Sequence, residues 1–234
     1  MLQGKEYICK TIVTSDLLNV MAEKSGVKHY DVLTGFKYIA DIIKRHEGKM
    51  KFIGGGEESY GYLAGEFVRD KDAVLSCSLI AEVTAWALHQ NKSLFDILID
   101  IYLEFGFYKE SLISIVRKGK AGAEEIQQIM TRFRTNPPAE INHSKLITIH
   151  DYLSSKTINI LKNTEEEIDL PSSNVLQFEL KDGSKISIRP SGTEPKIKFY
   201  FSVNEELTEK SEYAKIDALL EEKINNIKKD LELI

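Results

Sequence analysis

The chain has 234 residues, enough for one large or two small domains, and its 42% hydrophobic and 29% charged content is typical of a globular protein. Its formal net charge of −5 gives no general attraction to nucleic acid or to an anionic membrane, so any anion site must be local. No stretch approaches the ~18 apolar residues of a membrane span, and the N-terminus lacks the apolar core of a signal peptide. These features predict a cytoplasmic protein with neither a nucleic-acid nor a membrane partner.

The two cysteines and five histidines have no metal-ligand spacing. Cys9 and Cys77 are expected to be free buried thiols in a reducing compartment. No cluster of spaced aspartates suits Mg²⁺, so we expect no metal site in this chain.

The first half of the chain alternates predicted strands and helices. Strands are predicted over 7–13, 28–33 and 51–53, and helices near 15–26, 36–48, 73–90 and 93–106. Ser15, Asp72 and Ser93 are the expected N-caps, and Gly26 and Gly106 the expected C-terminal stops. Repeated strand-helix units predict a parallel sheet covered by helices.

Two polar segments follow strands of this predicted sheet. Thr34-Gly35-Phe36-Lys37 follows the second strand, and Gly54 to Ser59 follows the third. Because parallel sheets bind ligands at the carboxyl ends of their strands, we expect both segments to lie at one edge.

The second half predicts a small α+β domain. Its expected elements are a strand over 112–116, a helix over 124–133, an irregular polar stretch over 142–174, a hairpin of 175–180 with 184–188, a strand over 196–203 and a helix over 213–231. Asp182-Gly183 is the hairpin signal, and Trp86 in the first half is expected in the core. We place the domain boundary between residues 108 and 109.

The segment Arg189-Pro190-Ser191-Gly192-Thr193-Glu194-Pro195-Lys196-Ile197-Lys198 carries the chemistry that a phosphate requires. It supplies a guanidinium, hydroxyls, a flexible glycine and further cations. A polar turn between two strands is the alternative interpretation.

Other candidates have equally ordinary alternatives. Glu57, Glu58 and Ser59 offer acceptors for sugar hydroxyls, or form a solvated acidic turn. Lys37 lies in the first turn of a predicted helix, where the helix dipole disfavours a cation, so its position indicates an anionic neighbour. The alternative is an exposed surface lysine. Arg69 and Lys71 belong to an alternating charged run that is commonly a solvated face.

Three of these segments resemble loops of the α-D-phosphohexomutase family, which includes phosphoglucomutases and phosphomannomutases, and they occur in the family's order. The stretch 189–198 resembles the phosphate-binding loop, Gly54 to Tyr62 the sugar-binding loop, and Leu33 to Lys37 another active-site loop. The resemblance implies a partial third domain over 1–108, with a parallel sheet and helices, followed by a small α+β fourth domain over 109–234.

The resemblance also implies roles for individual residues. Lys37 is the implied catalytic residue, and it would act either by binding phosphate or by moving a hydroxyl proton. The implied substrate-binding residues are Glu57, Glu58, Ser59, Arg189, Ser191, Gly192, Thr193 and Lys198. Secondary candidates are Thr34, Gly35, Arg69 and Lys71. Lys198 stands where other members have arginine, which keeps the charge but loses the bidentate fork.

The implied activity is that of an isomerase. It moves a phosphoryl group between the 1- and 6- (or 5-) hydroxyls of a hexose or pentose phosphate through a sugar bisphosphate. The family uses a phosphoserine and Mg²⁺, but this chain carries neither loop. We therefore expect a C-terminal fragment that is inactive alone and has the protein's own N-terminal domains as partners. The preferred sugar and the oligomeric state stay open.

Two alternatives remain at this point. One is a stand-alone sugar-phosphate-binding module without catalysis. The other is a nucleic-acid-binding module that uses the basic loop, which the negative net charge disfavours.

Overall fold

The computed structural model describes residues 2, 4–59, 61–192 and 194–233. The chain divides into two compact units. Unit 1 comprises Met1–Phe107 with Glu206–Tyr213, and unit 2 comprises Tyr108–Glu205 with Ala214–Ile234. Within the described residues, none of the helices is long and apolar enough to cross a membrane.

Unit 1 is built on a four-stranded sheet in the order β2-β1-β3-β4. Its elements are β1 (Glu6–Thr11), α1 (Leu17–Lys24), β2 (Lys28–Val32), α2 (Phe36–His46), β3 (Lys51–Glu57), β4 (Gly61–Ala64), α3 (Ala73–His89) and α4 (Leu94–Phe105). The first three strands are parallel, and β4 pairs antiparallel to β3. The predicted parallel sheet with covering helices is therefore confirmed.

The ends of α3 and α4 follow the local sequence signals. Asp72 caps α3 by accepting a hydrogen bond from the Leu75 backbone N–H at 2.9 Å. Ser93 and Asp96 form a reciprocal capping box at the start of α4, and Gly106 ends that helix with φ at 97°. These predicted boundaries are confirmed because each depends on a residue that lies next to the backbone it caps or ends.

The start of α1 carries the predicted Ser15 interaction, because the Ser15 hydroxyl accepts a hydrogen bond from the Leu17 backbone N–H at 3.3 Å. The residue directly before the helix is Asp16, whose side chain makes no capping hydrogen bond. Its carboxylate instead lies 2.9 Å from the Lys10 ammonium. Ser15 thus supplies the local hydrogen bond at the helix start, and the Asp16 carboxylate is used in a tertiary ion pair.

One face of the sheet packs on α2 and forms a well-buried core. The buried members are Tyr7, Cys9, Val32, Phe36, Ile39, Ile43, Phe52 and Leu63. Burial raises the pKa of the Cys9 thiol to about 12, so the thiol stays protonated near neutrality. Cys77 on α3 is free but exposed, which corrects the prediction that both thiols are buried.

The prediction that Trp86 belongs to the core is also wrong. Trp86 is 52% exposed and Val83, one turn earlier, is 39% exposed. Helical spacing predicted the apolar character of α3, but only Ala87 of that helix is fully buried.

Three glycines of β3 belong to the sheet itself. Gly54, Gly55 and Gly56 were expected in a loop, but they pair with β1 on one side and β4 on the other. A Cβ at Gly55 would lie 2.0 Å from the Cys9 carbonyl oxygen, and one at Gly56 would lie 2.3 Å from the Gly61 carbonyl oxygen. Glycine is therefore required where neighbouring backbones approach closely.

Unit 2 contains an eight-stranded sheet in which β5-β12-β11-β10-β7-β8-β9 are neighbours and β6 pairs with β7. Its elements are β5 (Phe107–Val116), α5 (Gly119–Thr135), β6 (Glu140–Ile141), β7 (Ser144–Asp151), β8 (Lys156–Asn159), β9 (Thr164–Glu167), β10 (Leu176–Leu180), β11 (Lys185–Pro190), β12 (Lys196–Glu205) and α6 (Tyr213–Asp230). The predicted α+β class is confirmed.

The stretch 142–174 corrects our prediction of irregular structure, because it contains β7, β8 and β9. The strands β8 and β9 lack the alternation of apolar residues that predicts a strand, and every residue of Thr164–Glu167 is exposed. Cross-strand pairing supplies order instead, including an ion pair between Lys156 and Glu165 at 2.7 Å. Left-handed residues such as Ser155 and Asn163 form the intervening turns.

The two faces of the central strands in unit 2 differ in polarity. Phe178 and Phe199 bury their rings near Phe133 of α5, at centroid distances of 6.2 and 6.1 Å. The last helix buries Ile216, Leu220, Ile224 and Ile227 as predicted, but Leu219 is exposed. The opposite face carries Ser187, Arg189, Lys198 and Tyr200 in alternating positions.

We expect Gly55→Ala to destabilise unit 1 by about 3 kcal/mol or more, because the methyl group meets backbone atoms of β1 that cannot shift without breaking the ladder. Urea denaturation followed by Trp86 fluorescence measures this loss. Gly192→Ala is the matched control, since its Cβ meets nothing within 4 Å, and we expect a change within about 0.5 kcal/mol. Equal stability of the two variants would contradict the close-approach role of Gly55.

Candidate functional site

The loops that follow β2 and β3 meet at the carboxyl edge of the unit 1 sheet. The Glu57 carboxylate, at the end of β3, accepts a hydrogen bond from the Gly35 backbone N–H at 3.1 Å. Gly35 has φ at 128°, a conformation that glycine adopts most readily. The expected juxtaposition of the two polar segments is therefore present in unit 1.

Glu58 lies in the turn between β3 and β4 and accepts hydrogen bonds from hydroxyl groups. One carboxylate oxygen accepts from the hydroxyls of Thr11 and Thr14, both at 3.2 Å. The Ser59 hydroxyl donates to the other oxygen at 3.4 Å. Glu58 therefore carries a ready acceptor surface for hydroxyl groups, and its own orientation depends on the turn between β1 and α1.

Sequence reasoning missed Thr11 and Thr14. Their hydroxyls are 2.9 Å apart, and the Thr14 backbone N–H donates to the Thr11 carbonyl at 3.0 Å. A Thr-x-x-Thr pair directly after a buried strand is the signal that could have indicated them. It places two hydroxyls on one tight turn at the ligand-binding edge.

Lys10 was also missed, although it organises this edge. Its side chain is 0% exposed, and the ammonium lies 2.9 Å from both the Asp16 and the Asp31 carboxylates. It also donates to the carbonyl oxygens of Thr11 and Thr14, at 3.5 and 3.3 Å. One buried cation thus joins β1, the turn that supports Glu58, and β2.

Lys37 occupies the first turn of α2 and is exposed. Its ammonium lies 4.8 Å from the centroid of the Tyr38 ring. It forms no ion pair with any residue that the structure describes. The preceding Thr34 hydroxyl is buried without a hydrogen-bond partner among the described residues, so this loop holds one free cation and one unsatisfied hydroxyl.

Arg69 and Lys71 are engaged in surface ion pairs. The Arg69 guanidinium lies 3.0 Å from the Glu47 carboxylate. The Lys71 ammonium lies 3.2 Å from the Asp70 carboxylate and 5.8 Å from the Phe36 ring. The Lys71 backbone hydrogen bond and its ion pair both hold the pKa of the Asp70 carboxyl below its usual range. These contacts favour the solvated-face interpretation for both basic residues.

In unit 2, the hairpin of β11 and β12 places Arg189 directly opposite Lys198. Directly opposed residues have Cβ atoms about 5 Å apart, and two like charges in this arrangement repel each other. Neither side chain forms an ion pair with a described residue, and the Lys198 ammonium lies 5.9 Å from the Tyr200 ring. An anion between them would remove the repulsion.

The connection between these strands presents further polar groups. The Ser191 backbone N–H donates to the Lys196 carbonyl at 2.7 Å and closes the loop. The Ser191 hydroxyl accepts from the Glu194 N–H at 3.4 Å, and Lys196 pairs with Glu194 at 3.0 Å. Gly192 faces open space, and Thr193 lies outside the described residues.

The chemistry of the two clusters is that of anion and hydroxyl binding. Among residues 2, 4–59, 61–192 and 194–233, no group of three or more histidine, cysteine, aspartate or glutamate side chains could hold a metal ion. The class of protein is thus an α/β unit with polar loops at the carboxyl ends of its parallel strands, followed by an α+β unit that carries two opposed cations on an antiparallel hairpin.

Comparison of the sequence with known families identifies the proteins that it resembles. Residues 1–105 match the family model described as phosphoglucomutase/phosphomannomutase, alpha/beta/alpha domain III. The phosphoglucomutase of Staphylococcus aureus strain MRSA252 is 43% identical over 194 residues, which cover 83% of this chain and 35% of that protein. That of Staphylococcus haemolyticus strain JCSC1435 is 41% identical over 197 residues, covering 84% and 36%.

Solved structures share the fold. The open form of the Paramecium phosphoglucomutase pp63/parafusin aligns with a TM-score of 0.57 at 20% identity, over 95% of this chain and 38% of that one. A putative phosphomannomutase from Thermus thermophilus aligns with a TM-score of 0.59 at 13% identity, over 98% and 36%.

The chain belongs to the α-D-phosphohexomutase family. It spans about a third of the length of the curated relatives that it matches.

We expect Lys10→Met to destabilise unit 1 by roughly 2–4 kcal/mol, because it leaves two carboxylates without their cation. The loss should stay below that of a fully buried pair, since both carboxylates remain about a third exposed. Urea denaturation followed by Trp86 fluorescence is the measurement. The control is Arg45→Met, which removes an exposed ion pair with Asp41 and should cost about 0.5 kcal/mol or less. Similar losses for both variants would show that the Lys10 cluster is an ordinary surface contact.

Proposed function

We propose that this chain supplies the sugar-phosphate-binding part of a phosphoglucomutase- or phosphomannomutase-type isomerase. The intact enzyme would move a phosphoryl group between the 1- and 6- (or 5-) hydroxyls of a sugar phosphate through a bisphosphate. In this proposal residues 1–108 correspond to the third domain and bind sugar, and residues 109–234 correspond to the fourth domain and bind phosphate.

The observation that carries the proposal is the opposition of Arg189 and Lys198 across one strand pair. Two unpaired cations on one face cost stability unless an anion lies between them. A phosphate fits because guanidinium and ammonium donors, the Ser191 hydroxyl and the backbone at Gly192 together match its oxygens.

Unit 1 offers the complementary chemistry for a sugar. Sugar hydroxyls donate hydrogen bonds, and the carboxylates of Glu57 and Glu58 accept them. Glu57 already accepts from the Gly35 N–H, so its role includes holding the two loops together. The Glu58 carboxylate accepts from hydroxyl groups of Thr11 and Thr14 on one oxygen, so a ring hydroxyl would bind at an acceptor position that these leave open. Lys37 is available to bind a phosphate or to move a hydroxyl proton.

The described residues of this chain do not fit a magnesium site, and we assign them no step that involves the metal. Mg²⁺ supplies charge neutralisation in phosphoryl transfer, and its ligands belong elsewhere in the proposed enzyme. The chain's contribution is to bind and orient the sugar phosphate, in the cytoplasm, together with the remaining domains of the same protein.

The second candidate function is a stand-alone module that binds sugar phosphates without catalysis. The same cation pair and acceptor cluster favour it, since both are binding features. The coding DNA upstream of Met1 distinguishes the two proposals, because a continuous frame with a phosphoserine loop and a metal loop would support the enzyme.

We expect Arg189→Ala to weaken binding of inorganic phosphate to the chain by roughly 10- to 150-fold. A hydrogen bond to a charged group contributes ~1.5–3 kcal/mol, and each ~1.4 kcal/mol is tenfold in affinity. NMR titration of the 234-residue chain with phosphate measures the dissociation constant. Arg132→Ala is the control, because Arg132 is exposed on α5 and pairs with Glu232. If Arg189→Ala weakens phosphate binding by less than threefold, the segment 189–198 is a polar turn and not a phosphate site.

The purified chain should show no mutase turnover above a buffer blank. Phosphoryl transfer needs a nucleophile and a metal, and the binding clusters supply neither. A coupled assay with glucose 1-phosphate, the corresponding bisphosphate and Mg²⁺ tests this expectation. Turnover well above the blank would overturn the assignment of a binding role alone.

A further inference from the structure

Strand β5 forms one edge of the unit 2 sheet. Within the part of the chain that the structure describes, β5 ends the strand order and has β12 as its strand neighbour on one side. Residues 111–116 carry no charge, and Leu112 and Val116 are 46% and 60% exposed. An exposed edge strand without charges or proline offers its backbone groups to another strand.

The opposite edge of the same sheet is protected by charge. Strand β9 ends the strand order on that side, and three of its four residues are glutamates, all of them exposed. Pairing of β9 with its own copy would bring these carboxylates together, and like charges on paired strands repel. The sheet therefore has one edge that is open to a further strand and one that is not.

Two contacts establish how β5 pairs with β12. The Arg117 N–H donates to the Pro195 carbonyl at 2.9 Å, and the Ser202 hydroxyl donates to the Glu110 carboxylate at 3.3 Å. Both contacts fit one antiparallel register. Because ladder hydrogen bonds alternate along a strand, the odd-numbered residues of β5 bond to β12 and the even-numbered residues present their N–H and C=O groups outward. The outward-facing residues are Glu110, Leu112, Ser114 and Val116.

We propose that two copies of this chain pair antiparallel through β5, with Ser114 opposite the Ser114 of the second copy on a two-fold axis. In this register Leu112 lies opposite Val116, and Glu110 lies opposite Lys118, and each pair occurs twice. Lys118 is exposed and keeps an extended backbone, with φ at −89° and ψ at 144°, so the pairing can include it.

The charges select this register over its neighbours. A shift of the axis by one residue toward the N-terminus places Lys109 opposite Arg117, and like charges directly opposite each other destabilise a strand pair. A shift by one residue toward the C-terminus places Lys118 opposite the apolar Leu112. A shift by two residues in either direction leaves no pair of opposite charges. The self-complementary charges favour a second copy of the chain as the partner of this edge.

The cations of the phosphate cluster are compatible with this pairing. The register of β5 on β12 places Ser114 opposite Lys198 of its own chain. The two Lys198 residues of the pair are thus three strand spacings apart, ~14 Å. This separation exceeds the Debye length of ~8 Å at physiological ionic strength, so their repulsion is largely screened. A single strand pair is smaller than a standard interface, and we expect a dissociation constant of roughly 1–100 μM.

Sedimentation velocity of the 234-residue chain over a range of concentrations measures this association. The mass should rise from that of one chain to that of two and stop there. Glu110→Lys should raise the dissociation constant at least about tenfold, because two pairs of opposite charge become pairs of like charge. Adding Lys118→Glu to that variant should restore the original value, since the pairs are then inverted.

Cysteine cross-linking tests the position of the axis, in a Cys77→Ser background that removes the exposed native thiol. Ser114→Cys places two thiols opposite each other, so oxidation by copper phenanthroline and air should give a covalent dimer. Leu112→Cys is the matched control on the same face of the same strand. Its two copies would be four residues apart along the pair, ~13 Å, which is beyond the reach of a disulfide, and it should stay monomeric.

Four results would overturn the proposal. They are a single-chain mass at every concentration, a mass that grows beyond two chains, equal cross-linking of the two cysteine variants, and failure of Lys118→Glu to rescue Glu110→Lys. The pairing goes beyond the proposed function and fails independently of it. Arg189 and Lys198 belong to one chain, so phosphate affinity can be measured on the monomeric Glu110→Lys variant.

Discussion

The candidate sugar-binding edge of unit 1 depends on one buried ammonium group. Lys10 forms ion pairs with both Asp16 and Asp31 and also lies within hydrogen-bond distance of two carbonyl oxygens of the following turn. A buried charge is tolerated only when it is paired and hydrogen-bonded, and this requirement determines the path of the turn. The turn then positions the hydroxyls of Thr11 and Thr14 that orient Glu58. The position of the Glu58 carboxylate at this edge is thus a consequence of pairing the buried Lys10 ammonium.

Unit 2 presents the opposite electrostatic situation. Arg189 and Lys198 lie opposite each other without a described counter-ion, on a hairpin whose apolar face packs near α5. The strand pairing keeps the backbones of the two residues opposed, so one anion could contact both side chains. Preorganised donors of this kind bind an anion with little ordering cost.

Much of the fold was predictable, because many of its determinants are local. The capping box at Ser93 and Asp96, the Gly106 stop and the Asp182-Gly183 hairpin each act within a few residues of the backbone that they shape. The strands β8 and β9 were not predictable, because their order comes from cross-strand pairing between mainly polar residues. The exposure of Trp86 was missed for a related reason, since periodicity indicates which residues are apolar but not whether anything covers them.

Some residues of the candidate site could also be named from the sequence, and others only from the structure. Arg189, Ser191, Glu57, Glu58 and Lys37 could be named as candidates from the sequence, because their residue types and the resemblance of their loops to the family indicate this chemistry. Lys10, Thr11 and Thr14 were missed because their roles arise from contacts between β1, β2 and the turn after β3. From sequence alone, a lysine in a strand is interpreted as a solvated side chain. The structure instead shows that the Lys10 side chain is 0% exposed.

The order of synthesis has a consequence for how unit 1 matures. Its second segment, Glu206–Tyr213, follows nearly all of unit 2 in the chain. That segment supplies buried Leu207 and the Tyr213 ring, which stacks on Phe107 at 5.2 Å. When synthesis has reached Phe107, unit 1 therefore still has an incomplete aromatic cluster. Because domains tend to fold as units during translation, the packing of Tyr102 and Phe107 against Tyr213 is complete only after about a hundred further residues have been made.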